Sequence, residues 1–261
     1  MTLPAEIAAI LEHKTGQANT IGLSGSTVIQ YDDCVLKIDP ISPNTEVTVA
    51  TMRWLDGKVP AAKVIAHKTE NGLSYLLMSR AEGEMACSDV YLSQPDLLIP
   101  ALASGMHLLW RTDPTDCPRR TTVDDLLMQA RFRVETGLVD IHEAEPETFG
   151  PNAFRDPLDL LQWLETNRPE SDLILSHGDY CLPNIFLKNG CFHGFIDMDS
   201  FGIGEKWRDI ALCYRSLKHN ASGYYGGKVY SGIDPNRLFI ELRIQPDWDQ
   251  IRYHLLLDEL F

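Results

Sequence analysis

The stretch that carries chemistry runs from Ser176 to Asp199, SHGDYCLPNIFLKNGCFHGFIDMD. It holds Asp179, Asn184 and Asp197 around a pattern that reads as a β-hairpin. Ile185-Phe186-Leu187 predicts a short strand, Lys188-Asn189-Gly190 a turn, and Cys191 to Ile196 a second strand running into Asp197. A hairpin returns the chain to its starting point. Asp179 and Asn184, before the first strand, therefore converge with Asp197, after the second. Carboxylate and amide oxygens are hard ligands, the kind Mg²⁺ takes while keeping waters for phosphate oxygens. A carboxylate that is not a ligand can orient a hydroxyl and accept its proton. These are the parts of a phosphoryl-transfer site, where positioning and charge neutralisation supply most of the rate. Taken singly, each residue has a bland role as a turn cap or strand terminus. His177, Gly178, Pro183 and the spacing of five between Asp179 and Asn184 favour the joint reading.

Such a site needs a scaffold and a cation for the phosphates. The first 80 residues read as β-rich. IGLSGSTVIQYDDCVLKI predicts a hairpin turning at Asp32-Asp33, and Val64 to Met78 a second one turning at Asn71-Gly72. Glu46 to Leu55, with Val47, Ala50, Met52, Trp54 and Leu55, predicts a helix between them. Lys37, flanked by Val35-Leu36 and Ile38, is the strand lysine that would reach phosphates. After Arg80 the pattern turns helical: Leu97–Trp110, Thr122–Arg133, Leu158–Thr166 after Asp156-Pro157, Trp207–His219, and Asp247–Phe261 with Asp247 as N-cap. The expected fold class is α+β, with a β-rich lobe over residues 1–79, a hinge over 80–83 and a mostly helical lobe over 84–261.

The whole composition agrees with a globular enzyme. The chain has 261 residues, with 23 Lys plus Arg against 37 Asp plus Glu, a net charge of −14. That surplus argues against nucleic acid or an anionic membrane as partner, since both are bound with positive charge. No apolar run approaches the length of a membrane span, and the N-terminus lacks the basic and apolar regions of a signal peptide. The six cysteines form no C-x-x-C pair and read as reduced thiols, so a cytoplasmic location is expected.

H-G-D-x-C-L-P-N followed by G-F-I-D, with the terminal L-L-D-E-L-F, resembles the aminoglycoside 3′-phosphotransferases, a family with the two-lobed protein-kinase fold. The resemblance runs from about Ile21 to Phe261. It implies ATP or GTP as phosphate donor, Mg²⁺, a cationic small-molecule acceptor, and a monomer or weak dimer. By resemblance, Asp179 is the catalytic aspartate, Asn184 and Asp197 hold the metal, and His177 and Asp209 brace the catalytic loop. Ser24 and Ser26, in Gly22 to Thr27, belong to the loop covering the phosphates. Ser79 and Ala81 form the hinge that meets the adenine edge. Glu259 and the C-terminal carboxylate of Phe261 join Asp179 in receiving the cationic substrate, with Glu143, Glu145 and Glu147 on an adjacent loop.

Three departures from the family pattern stand out. The helix glutamate that pairs with the lysine is replaced by Thr48, and Glu46 lies about 200° round an ideal helix from it. Either the helix shifts so that Glu46 reaches Lys37, or that ion pair is absent. Beyond Cys213-Tyr214-Arg215, two acidic positions hold His219 and Asn220. After Asp197 comes Met198-Asp199-Ser200 rather than x-G-R, placing a carboxylate where it can bind metal or face substrate. The alternatives are a kinase of the same fold acting on a non-aminoglycoside hydroxyl, and a nucleotide-binding protein with little catalysis.

Overall fold

Period-two burial builds the N-terminal sheet. The computed structural model describes residues 3–19 and 26–261. Helix α1 (Ala5–Leu11) precedes strands β1 (Gln17–Asn19), β2 (Thr27–Gln30) and β3 (Cys34–Pro40). Helix α2 (Thr45–Leu55) follows, then β4 (Val64–Glu70) and β5 (Leu73–Ser79). The five strands are antiparallel in the order β1-β2-β3-β5-β4. Along β3, Cys34, Leu36 and Ile38 are buried, and they join Ile7 and Leu11 of α1 in one apolar cluster. Alternation sends Lys37 to the opposite face. On α2, Thr48, Val49, Met52 and Leu55 form the buried stripe. Its apolar members continue into the main core, which also takes residues from the rest of the chain.

The remaining elements are mostly helical. Short β6 (Glu84–Met85) and α3 (Asp89–Leu92) lead to α4 (Pro95–Arg111), β7 (Arg120–Thr121), α5 (Val123–Glu135) and α6 (Pro157–Thr166). Then come β8 (Leu173–Ser176), a 3₁₀ turn at Leu182–Asn184, β9 (Ile185–Lys188), β10 (Cys191–Phe195) and β11 (Gly202–Glu205). Helices α7 (Lys206–Ser222), α8 (Arg237–Leu242) and α9 (Trp248–Asp258) complete the described elements. Helix α4 starts with Pro95 at its first turn and buries Leu98, Leu102, Met106 and Leu109 along one stripe. A capping box at Thr122 and Asp125 opens α5, and the Asp156 and Asp247 side chains cap α6 and α9.

Two small sheets hold the chemistry-bearing stretch. Strand β11 pairs antiparallel with β8, placing Gly202 opposite Ser176, and parallel with β7. Residues 177–201 are thus an excursion whose two ends are stapled together. Within it, β9 and β10 form the expected hairpin, turning at Asn189 and Gly190, both with positive φ. Strand β6, a few residues beyond β5, pairs with β9. The α2–β4 connection is bonded to β10: Phe195 N–H donates to Pro60 O at 3.0 Å, and Ala62 N–H to Phe195 O at 3.3 Å. These contacts fix the end of the hairpin against the N-terminal sheet.

Candidate active site

Asn184 lies on the 3₁₀ turn that opens β9, and its buried amide donates to Asp179 twice. Nδ2 is 2.7 Å from Asp179 Oδ2 and 3.1 Å from Asp179 O. That assignment leaves the amide oxygen as the atom for a cation. Hairpin register sets Ile185 opposite Phe195, and Ile196 N–H donates to Asn184 O at 3.0 Å. Asp197, one residue on, is therefore beside the Asn184 backbone. It takes the left-handed conformation, φ 57°, uncommon for a residue with a side chain. Burial raises the Asp197 carboxyl above its usual range, Lys37 opposes the rise, and Asp199 and Asp179 add to it. Carboxyls that repel one another in this way form a site that a cation stabilises. The oxygen donor set, together with a lysine, fits a Mg²⁺–polyphosphate group.

Lys37 crosses from β3 to meet this hairpin. Its Nζ is 2.6 Å from Asp199 Oδ2 and 3.9 Å from both Asp197 Oδ1 and Asp39 Oδ2. Burial works against the ammonium, but Asp199 and Asp197 outweigh it and hold its pKa above the ordinary value. Among the described ion pairs Glu46 does not reach Lys37. Thr48 is buried and accepts from Arg119 Nη2 at 2.6 Å. The helix glutamate pair is thus absent, and Asp199 is the closest carboxylate partner of Lys37 among the described residues.

The segment around Asp179 is braced from beneath. Asp209, buried on the first turn of α7, accepts from Ser176 Oγ at 2.9 Å, His177 N at 2.9 Å and Gly178 N at 2.8 Å. Burial raises its pKa, opposed by His177 and by these donors. His177 is buried as well. Asp179 N–H donates to its Nδ1 at 3.3 Å, which puts the ring proton on Nε2, and that donates to Ile196 O at 3.0 Å. One imidazole thereby spans the segments before Asp179 and Asp197. Gly178, with φ 76°, packs so closely that an added Cβ would lie 2.4 Å from Ser200 O.

Other expected residues fall in place to different degrees. Ser79 ends β5, where its N–H donates to Lys63 O at 2.8 Å and its hydroxyl accepts from Lys63 N at 2.9 Å. Ala81 follows in an irregular segment, before Gly83 with φ 95°. Ser26 immediately precedes β2, whereas Ser24 lies outside the described residues. Asp179 and Phe261 line a cavity of about 440 Å³ that also takes Asp199, Asp258, Arg119 and Arg208. Glu259 faces a neighbouring groove of about 1210 Å³ instead, with Glu145, Glu147, His219, Tyr224 and Trp248. Only 5% of the Glu259 side chain is exposed. It accepts from Glu145 N at 2.9 Å and Arg215 Nη1 at 3.5 Å. The Phe261 main-chain oxygen accepts from Arg133 Nη2 at 2.5 Å.

Sequence reasoning missed a network beneath these residues. Asp258 pairs with Arg208 at 2.9 Å and with Arg215, while Arg208 Nε donates to Gly178 O at 2.8 Å. Burial pushes the Asp258 carboxyl up, but the two arginines outweigh it and hold its pKa below the ordinary value. The last helix is thereby tied to the residue before Asp179. Both ends were visible, in WRDIA and LLDELF, but only the fold brings them together. His219, in a position expected to be acidic, sits 3.1 Å from Glu145 Oε1 and stacks on Tyr224 at 4.1 Å.

Comparison with known proteins agrees with this architecture. The profile described as the phosphotransferase enzyme family matches residues 15–235. An aminoglycoside 3′-phosphotransferase of Enterococcus faecalis is 38% identical over 80% of this chain and 76% of the relative. Among solved structures, the aminoglycoside phosphotransferase APH(3'')-Id of Streptomyces rimosus superposes with a TM-score of 0.83 at 22% identity, over 97% of this chain and 95% of that one. The same protein in complex with ADP and streptomycin gives a TM-score of 0.76 at 20% identity, covering 98% and 97%.

Proposed function

The chain belongs to the phosphotransferase enzyme family, among the aminoglycoside 3′-phosphotransferases, and from that premise we propose that it moves the γ-phosphate of ATP to the 3′-hydroxyl of an aminoglycoside. The reading rests on one observation above the others: Asp179, Asn184 and Lys37 converge with Asp197 at one end of the β9–β10 hairpin. In this mechanism Asp179 orients the acceptor hydroxyl and takes its proton as the oxygen attacks the terminal phosphorus. Asn184 holds Asp179 by its amide hydrogen, and its oxygen would hold Mg²⁺ together with Asp197. The metal, when bound, neutralises phosphate charge. Lys37 contributes a fixed positive charge to the same phosphates. His177 and Asp209 keep the loop in register.

The nucleotide would lie between a lobe of residues 1–79 and one of residues 84–261, against a hinge at Ser79 and Ala81 and beside Ser26. The acceptor's ammonium groups would meet Asp179 in the cavity it shares with Phe261, and Glu259 at the neighbouring groove. A structure of the same fold solved with ADP and streptomycin supports a nucleotide together with a cationic small-molecule acceptor. His219 against Glu145 commits one carboxylate of the adjoining loop, which favours acceptors with fewer ammonium groups on that side.

The test is a panel of aminoglycosides with ATP or GTP and Mg²⁺, read by nucleoside diphosphate release and by the product's mass and NMR. The expected outcome is a monophosphorylated drug modified at the 3′ oxygen, and resistance in a susceptible host expressing the gene. Turnover restricted to other hydroxylated small molecules would replace the acceptor assignment. Nucleotide binding with no turnover on any acceptor would refute the reading.

A further inference from the structure

The lysine of this site is held in an unusual way. Among the described residues no α2 carboxylate contacts Lys37; its 2.6 Å partner is Asp199, from the loop between β10 and β11. The Asp199 main-chain oxygen in turn accepts from Arg119 Nη1. Arg119 is buried, and its Nη2 donates to Thr48 Oγ1 at 2.6 Å and to Asn44 O at 3.3 Å. Nη1 also lies 3.4 Å from Met198 O. One guanidinium thus bonds the first turn of α2 and the backbone of the metal loop together.

We propose that α2 positions Lys37 indirectly, through a Thr48–Arg119–Asp199 relay that takes over the work of a direct helix-to-lysine ion pair. In this relay Asp199 is a positioning residue. Its carboxylate fixes the lysine head group and its carbonyl fixes the arginine. Geometry supports the division of labour. The described contacts of Lys37 do not include Thr48, whose hydroxyl meets a planar five-donor group that can serve two acceptors at once. Arg119 sits just before β7, which pairs with β11, so its backbone shares a sheet with the strand after the metal loop. The relay predicts that changes on α2 are felt at the nucleotide phosphates with no contact to them.

This inference rests on the nucleotide-binding reading, and the test separates the two. ADP binding is measured by calorimetry, with and without Mg²⁺, for wild type, Asp199→Asn, Asp199→Glu, Thr48→Val and the Thr48→Val/Asp199→Asn double variant. Asp199 is exposed, so its substitution leaves a folded chain, which melting curves check. Asp199→Asn should weaken ADP binding roughly ten- to hundred-fold, the range for loss of a charge-assisted hydrogen bond. Asp199→Glu should restore most of it. Thr48→Val should weaken binding several-fold alone and add little in the double variant, since both act through one path. In turnover, KM for ATP should rise while KM for the acceptor stays near wild type. ADP binding by Asp199→Asn as tight as or tighter than wild type would overturn the relay, making Asp199 a competitor of the phosphates for Lys37. Fully additive effects would overturn it too. A wild-type protein that binds no ADP would overturn the functional reading itself.

Discussion

Asp209→Asn is the sharpest probe of how the catalytic loop is held. The wild-type carboxylate is buried and receives three hydrogen bonds, from Ser176 Oγ and Gly178 N to Oδ1 and from His177 N to Oδ2. An asparagine of the same shape has one oxygen. If the amide nitrogen replaces Oδ2, the His177 N–H faces another donor. If it replaces Oδ1, the Ser176 hydroxyl can turn to accept, and the Gly178 N–H keeps Ser176 Oγ, at 3.0 Å, as its acceptor. With nitrogen at Oδ2 one buried backbone N–H is stranded, at about 1–3 kcal/mol, and in both orientations a charge-assisted network is cut, which in buried sites costs about 3–5 kcal/mol altogether. A loss of about 3 kcal/mol in urea unfolding is expected. Because the affected groups directly precede Asp179, kcat should fall by about 100-fold, the scale of a small displacement of a catalytic group. KM for ATP should change little. Stability within about 0.5 kcal/mol of wild type, the range for ordinary surface changes, would refute the reasoning. It would mean that Asp209 is protonated and donates a hydrogen bond.

Gly178→Ala places a Cβ 2.4 Å from Ser200 O at φ 76°, so it should destabilise by about 2 kcal/mol or more and lower kcat, read by melting and turnover. Asp258→Asn removes the carboxylate shared by Arg208 and Arg215, leaving Arg215 with Glu259, and should lower kcat at least about ten-fold, since Arg208 also holds Gly178 O; unchanged kcat would count against the network. His254 is buried with neither ring nitrogen bonded, and burial, then Arg208, push its pKa down to about 3. The folded state therefore refuses a proton that the unfolded chain takes below about pH 6.5, so stability falls with acidification. From pH 6.5 to 5 the His254 share is about 2 kcal/mol, and His254→Leu should show a correspondingly flatter pH profile; parallel profiles would remove that role. Chelation of divalent cations should abolish turnover while leaving the melting temperature of the nucleotide-free protein unchanged.

How much of this was legible in the sequence depends on range. The β9–β10 hairpin was readable because the turn residues and flanking apolar runs are local, and so was the convergence of Asp179, Asn184 and Asp197 that follows from it. The β2–β3 and β4–β5 hairpins, α2, α4 to α7 and α9 followed from turn, cap and period signals. Strand β11 was invisible. Gly202-Ile203-Gly204-Glu205 has poor strand propensity, and it is a strand because β7 and β8 pair with it. For the same reason the partner of Lys37 could not be read. Asp199 was noted as a displaced charge, but its pairing with a lysine on β3 depends on how the hairpin packs against the N-terminal sheet. Arg119, Arg208 and Asp258 lacked any local signal for their contacts, which join segments far apart in the chain. Glu259 was chosen for its charge, and the fold engages that charge with Arg215.

The central claim is that Asp179 serves the acceptor hydroxyl while the rest of the hairpin serves the nucleotide. Asp179→Asn keeps the shape and lets Asn184 Nδ2 donate to the new amide oxygen, so only the base is lost. Pre-steady-state phosphorylation of an aminoglycoside by this variant, beside ADP affinity on the same preparation, separates chemistry from binding. The account predicts a transfer rate lower by about 100- to 10,000-fold, the usual share of a positioned base, with ADP affinity close to wild type. Transfer at the wild-type rate with Asp179 neutralised would contradict it.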